Sequence, residues 1–110
     1  MSVQRYAFVV NVVPQLRAEY LRLHAAVWEE VEAALSTHHV TNYSIFIIEN
    51  TLFGYYEYTG EDYAADMAAL DADPVSCEWL THTDPCQVAF GETSQPPQLW
   101  RQLQEVWHLP

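Results

Sequence analysis

Thr41-Asn-Tyr-Ser-Ile-Phe-Ile-Ile-Glu49 and Leu52-Phe-Gly-Tyr-Tyr-Glu-Tyr58 are two runs of β-branched and aromatic residues with only Asn50 and Thr51 between them. Strand-forming runs that close together fold back on one another, so 41–58 reads as a β-hairpin turning at Asn50 and Thr51. Helical patterns flank the hairpin on both sides, and that placement decides the fold.

Upstream, Arg5 to Val13 is a second dense β-forming run, which ends at Pro14 and reads as a buried first strand. Pro14 suits a helix entry, and apolar positions then recur at Leu16, Tyr20, Leu23, Val27, Val31 and Leu35, which predicts one helix ending near Ser36 to His39. Downstream, Thr59-Gly60-Glu61-Asp62 is a turn into an alanine-rich helix over 62–72, with Tyr63, Met67 and Leu70 on one stripe. Asp73 reads as the N-cap and Pro74 as the first residue of a further helix to about Thr83, which Asp84-Pro85 stops. Residues 86–90 read as a short edge segment or an extended connection, Gly91 to Pro97 as a surface loop, and Leu103 to Leu109 as a last strand.

The order is βαββαβ with the second helix split in two. It predicts a ferredoxin-like α+β fold, an antiparallel sheet with its helices on one face. Apolar residues occupy both parities of the strands: Phe8 and Val10 against Val9, and Phe46 and Ile48 against Ile45 and Ile47. The uncovered sheet face therefore calls for a second copy, as a homodimer.

A chain of 110 residues that is 50% hydrophobic suits one domain over 1–110 with a core of its own. Fifteen acidic residues stand against four arginines and no lysine, a formal charge of −11. That charge disfavours nucleic acid and anionic membrane surfaces, and the absence of lysine excludes Schiff-base chemistry and a P-loop. Cys77 and Cys86 match neither a CxxC pair nor a zinc half-site and read as idle thiols of a reducing cytoplasm. The first residues hold too short an apolar run for a signal peptide, and no run reaches the roughly 18 apolar residues of a membrane span.

Tyr20 and His24, four apart, lie one above the other on the core side of the first helix. On spacing alone a packed core pair is the leading reading. Together with Tyr43 and Trp79, and without lysine, metal cluster or nucleophile motif, they also suit a site for a neutral polar ligand with apolar faces, such as a sugar, where histidine takes and gives a proton. Other candidates are weaker. His38 and His39 point different ways, His82 with Asp84 is as well explained by a local contact at a helix end, and Glu29, Glu30 and Glu32 read as a solvated face. Glu105 is placed to meet Arg5 or Arg101, and no GxSxG, HExxH or GxGxxG pattern occurs.

Tyr20-Leu-Arg-Leu-His24, Trp28-Glu-Glu30, Asn42-Tyr43, Cys77-Glu-Trp79 and the ending Leu103-Gln-Glu-Val-Trp-His-Leu-Pro110 together resemble the L-rhamnose mutarotase family, from about Arg5 to the C-terminus. The resemblance implies a dimeric ferredoxin-like α+β barrel that interconverts the α and β anomers of L-rhamnose without a cofactor. It implies His24 as catalytic acid–base, Tyr20 and Tyr43 as sugar-binding tyrosines, and Trp79 as the first of two adjacent sugar-contacting tryptophans. The second of that pair is Leu80 here, which removes a flat ring and an N–H donor from the expected substrate-binding set. Two alternatives follow: a cofactor-independent enzyme of secondary metabolism acting on a more apolar metabolite, and a binding or dimerisation domain in which His24 is a core residue.

Overall fold

Strand β1 (Gln4–Val12) runs through the centre of the sheet, paired antiparallel on one side with β3 (Thr51–Tyr58) and on the other with β4 (Gln87–Val88) and β5 (Arg101–Gln102). These relationships come from a computed structural model that describes residues 3–91 and 99–110. Strand β2 (Val40–Ile48) completes the order β2-β3-β1-β4, the ferredoxin-like arrangement expected from the βαββαβ order. Among the described residues, four α-helices accompany the curled sheet: α1 (Arg17–His24), α2 (Glu29–Thr37), α3 (Tyr63–Ala72) and α4 (Pro74–Thr83).

The hairpin forms as its composition demands, with Ile48 paired to Thr51, so the turn lies at Glu49 and Asn50, one residue earlier than expected. Both later helices are capped by the carboxylates that announce them. Asp62 accepts from the Ala65 amide at 3.1 Å and Asp73 from the Ser76 amide at 2.9 Å, each meeting an N–H that a helix start leaves without a partner.

The first helix departs from expectation. Instead of one helix from Pro14 to Leu35, a single 3₁₀ turn at Pro14–Leu16 leads into α1, the chain leaves helical geometry after His24, and α2 restarts at Glu29. Trp28 is extended, with φ −63° and ψ 136°, and its carbonyl accepts from the amides of Val31 and Glu32 to begin the new helix. Tertiary packing drives the break: Trp28 turns edge-on to Trp79 at 5.2 Å and to His82 at 5.5 Å, contacts a straight helix would forgo. Glu29, Glu30 and Glu32 fill the first turn of α2, where the helix dipole favours acids, so the restart did have a sequence signal.

The C-terminal strand is also corrected. Only Arg101 and Gln102 pair with β1; residues 103–110 form no strand, although the Leu103 amide still reaches the Ala7 carbonyl at 2.8 Å. The expected loop from Gly91 to Pro97 lies, beyond Gly91, outside the described residues.

Directly opposed residues share a sheet face, so the register sorts the side chains. Tyr6, Phe8, Val10 and Val12 of β1, Leu52, Gly54 and Tyr56 of β3, and Ile45 and Ile47 of β2 point to the helices. Val10, Val12, Tyr20, Leu52 and Cys86 form the buried centre of this layer. Farther along, Tyr63 of α3 stacks on Tyr6 with centroids 4.1 Å apart and hydrogen-bonds Tyr56 through the hydroxyls. The opposite face carries Phe46 (63% exposed), Ile48 (64%) and Phe53 (38%), a contiguous apolar surface open to solvent in the single chain.

Candidate active site

A cavity of about 510 Å³ opens between α2 and β2, lined by His24, Val31, Leu35, Tyr43, Ile45 and Trp79 among others. Each of its walls has a local cause. His24 is the last residue of α1, where the helix ends and the ring is free to reach past it. Its Nδ1 lies 3.0 Å from the Tyr20 carbonyl oxygen, and because a carbonyl only accepts, Nδ1 carries the proton. The neutral ring then keeps its lone pair on Nε2. Burial lowers the His24 pKa from its ordinary value, and the bond to the Tyr20 carbonyl offsets part of that shift.

Tyr20 is 2% exposed and does not line the cavity. It stands behind His24, stacked on the imidazole with centroids 4.2 Å apart. Burial raises its pKa, with the neighbouring Tyr43 adding to the effect. The tyrosine hydroxyl is therefore a neutral group throughout the ordinary pH range.

Tyr43 lies beside a break in register. Thr41 is opposite Glu57 while Ser44 is opposite Tyr55, so Asn42 and Tyr43 together face Tyr56. Asn42 takes φ +49°, in the left-handed region asparagine tolerates, and its Nδ2 donates to Glu57 at 2.8 Å. Two residues before Ile45, Tyr43 shares its helix-side face by simple alternation, 5.2 Å from the Tyr56 ring. The bulge lets Val40, three residues earlier and opposite Tyr58, face the same side. The Tyr43 ring is 42% exposed, and desolvation around the hydroxyl, followed by the proximity of Tyr63, raises its pKa. Gly54 leaves the floor beneath it low: a Cβ there would meet Trp100 at 3.4 Å and Tyr43 at 3.9 Å.

Trp79, 7% exposed, comes from α4 and meets His24 edge-on at 5.4 Å. Leu80 projects elsewhere; it is 43% exposed and absent from the cavity lining. Thus His24, Tyr43 and Trp79 meet at one cavity, Tyr20 supports it from behind, and Leu80 is outside. Val27, Val31 and Leu35, read from sequence as holding the helix to the core, line the cavity themselves because the break after His24 rotates α2 onto a new axis.

The weaker candidates are dispersed. His38 Nδ1 bonds the Ala34 carbonyl at 2.7 Å, and His39, at φ +70°, reaches Asp66 at 3.2 Å. His82 packs on Trp28, and burial raises the Asp84 pKa, the reverse of what a histidine partner would do. Arg5 does meet Glu105, at 2.9 Å. Cys77 and Cys86 are free thiols, one exposed and one buried. No helix among the described residues is long and apolar enough to cross a membrane, and no cluster there of three His, Cys, Asp or Glu could hold a metal.

A family model described as L-rhamnose mutarotase matches residues 5–109. The chain belongs to the L-rhamnose mutarotase family. It is 37% identical over 110 residues to the L-rhamnose mutarotase of Opitutus terrae, a match covering 96% of this chain and 97% of that one. The L-rhamnose mutarotase of Shigella flexneri is 33% identical over 108 residues, covering 96% and 98%. Membership in the L-rhamnose mutarotase family makes the chain an isomerase-type enzyme. In architecture it is similar to the crystal structure of L-rhamnose mutarotase from Formosa agariphila, with a TM-score of 0.76 at 23% identity over 97% of this chain and 99% of that one. The same fold, with a TM-score of 0.66 at 12% identity and the same coverage, occurs in tetracenomycin F2 cyclase, a type-II polyketide cyclase of Streptomyces glaucescens. Both likenesses place the chain in the dimeric α+β barrel fold class that the sequence resemblance implied.

Proposed function

We propose that this protein interconverts the α and β anomers of L-rhamnose, an aldose 1-epimerase type of reaction, with His24 as the single proton-transfer group. The observation that carries the reading is the His24 tautomer: Nδ1 is committed to the Tyr20 carbonyl, so Nε2 is the nitrogen left for a ligand in the cavity. Ring opening takes the proton from the anomeric O1, breaks the bond from C1 to the ring oxygen, and returns a proton to that oxygen. Both oxygens are bonded to C1. One nitrogen therefore reaches them in turn, taking the proton from O1 and delivering it to the ring oxygen, and closure on the other face of the aldehyde reverses the sequence. The proton count balances and no electrons are exchanged, so the reaction calls for no redox cofactor.

In this reading Trp79 offers a flat apolar wall to one face of the sugar and Tyr43 a hydroxyl to its polar edge. Tyr20 acts through His24 rather than on the sugar. With Leu80 outside the cavity, its replacement of a tryptophan leaves the walls built by Trp79 and Val31 in place. The protein acts as a single cytoplasmic domain over 1–110 and as a homodimer, whose second copy covers Phe46, Ile48 and Phe53.

Saturation-transfer NMR of equilibrated L-rhamnose tests the reading. The expected result is faster exchange between the two H1 signals at micromolar protein. Exchange no faster than in buffer would overturn it, and protection of the protein against heat by apolar polyketide-like compounds but not by rhamnose would favour the alternative substrate class.

A further inference from the structure

Glu32 is the charged group that the site as described leaves unused. The sequence reads Glu29, Glu30 and Glu32 together as a solvated face, but the structure separates them: Glu32 lines the cavity, while Glu29 and Glu30 do not. Val31, Leu35 and Ser36 line it from the same helix, so 31 with 35 and 32 with 36 form two rows, each one turn of α2 long, along the cavity wall. Glu32 is the one carboxylate among the described lining residues, and it enters no ion pair among the described residues. Asn42 also lines the cavity, but its Nδ2 already donates to Glu57 at 2.8 Å. The charged acceptor in this wall is thus open to a ligand.

A carboxylate only accepts hydrogen bonds, and its two oxygens can take two donors side by side. A 6-deoxyhexose offers that pattern. With C1 and the ring oxygen at His24, the opposite edge of the six-membered ring is C3–C4, and in L-rhamnose O3 and O4 are adjacent equatorial hydroxyls, each with a proton to donate. We propose that Glu32 is a specificity-determining residue that accepts hydrogen bonds from O3 and O4 of the sugar, one on each carboxylate oxygen. The proposal rests on the reading of the cavity as a sugar site with C1 at His24. It gives the cavity two polar poles, imidazole and carboxylate, while Val31, Leu35 and Trp79 supply apolar wall for the ring carbons. A negative group in the wall also turns away sugar phosphates and sugar acids, in keeping with a chain of charge −11. Because C3 and C4 are unaltered when the ring opens at C1, the contact holds substrate and transition state alike. Its loss therefore raises KM and leaves kcat in place.

The test compares Glu32→Gln, which keeps the size and one acceptor oxygen, with Glu29→Gln, in the same first turn of α2 but outside the cavity lining. Anomer exchange is measured on L-rhamnose and on 4-deoxy-L-rhamnose, which lacks one of the two donors. In Glu32→Gln the KM for L-rhamnose should rise about tenfold, as for a lost hydrogen bond to a charged group, with kcat changed less than about twofold. The parent should bind the deoxy sugar more weakly by a similar factor, and in Glu32→Gln that gap should close to about threefold or less. Glu29→Gln should match the parent on both sugars. An unchanged KM in Glu32→Gln, a gap between the sugars that stays open there, or an equal rise in Glu29→Gln would overturn the proposal. Protection against heat needs no turnover and separates the two readings. If L-rhamnose protects the parent but not Glu32→Gln, and the parent never speeds anomer exchange, the diol contact stands and the mutarotase reading falls; a parent with neither protection nor exchange would sink both.

Discussion

Tyr20 grips His24 twice, with its ring stacked on the imidazole at 4.2 Å and its backbone carbonyl 3.0 Å from Nδ1. The first contact sets the plane of the imidazole and the second sets which nitrogen carries the proton. Orientation and tautomer are thus determined by one residue a single helical turn away, an arrangement that the spacing of four makes possible. Its weakest link is the rest of the pocket, since nothing on α1 places Tyr43 or Trp79 opposite the ring.

Replacement of His24 with alanine removes the imidazole that lines the cavity along with Tyr43 and Trp79. The expected loss in the rate of L-rhamnose anomer exchange is about 10²- to 10⁴-fold, the usual contribution of a general acid–base group. Unchanged exchange, measured by saturation transfer on folded variant, would assign the proton transfers elsewhere.

The pH dependence follows from burial of the same ring. The folded pKa of His24 lies below its ordinary value of 6.5, so below about 6.5 the unfolded chain binds more protons than the folded one. His24 therefore contributes stability that is lost as pH falls from the unfolded pKa towards the folded one, and His24→Gln should flatten the melting temperature over that window. The acid limb of the exchange rate should have its midpoint below 6.5, since the neutral ring is the base. A midpoint above 6.5 in the pH–rate profile would contradict this environment.

Asn42 should tolerate glycine and reject valine. Its φ of +49° suits Asn or Gly, whereas a β-branched residue there costs on the order of 1–3 kcal/mol or pulls the bulge out of β2. Asn42→Val should lower the melting temperature by several degrees, because loss of the bulge would turn Val40, buried opposite Tyr58, away from the helices. Asn42→Gly should melt near the parent. Equal melting temperatures in the two variants would mean that the bulge does not hold Val40 in the core.

Phe46, 63% exposed, is a sensor of what covers the open sheet face. In a free monomer Phe46→Glu at such a position changes stability by about 0.5 kcal/mol or less. In a twofold dimer it brings carboxylates to an apolar interface, and sedimentation equilibrium should show the mass falling to that of one chain. A parent protein that sediments as a monomer would refute the homodimer.

The Arg5 pair with Glu105 holds the C-terminal arm against β1 at 2.9 Å with both side chains partly exposed. Glu105→Gln should leave the thermal melt almost unchanged, since an exposed ion pair contributes little to stability. Limited proteolysis should nonetheless cut the arm faster, because apart from this pair the Leu103 amide on the Ala7 carbonyl is its described backbone tie to the sheet.

Much of this fold was legible because the rules that build it are local. The hairpin over 41–58, the caps at Asp62 and Asp73 and the two helices after the turn at Gly60 depend on residues within a few positions of one another. The βαββαβ order then leaves few sheet topologies to choose from. The proximity of Tyr20 and His24 was readable for the same reason, and the family resemblance marked it as a site when spacing alone did not.

Three features were settled only by contacts distant in sequence. The helix breaks after His24 because Trp28 gains Trp79 and His82, which lie on α4, and helix propensity near Ala25 carries no trace of them. Val40 and Tyr43, three positions apart, both point to the helices because of a bulge, and a one-residue change of register reverses a side chain's face whatever its composition. The segment from Leu103 to Leu109 has the residues of a strand but forms none: pairing with β1 stops after Gln102, the Leu103 amide makes a last bond to the Ala7 carbonyl, and β-propensity by itself does not extend a ladder. Sequence thus determined which elements form and in what order; tertiary structure decided which side chains those elements deliver to the cavity, since that depends on register and on packing between helices far apart in the chain.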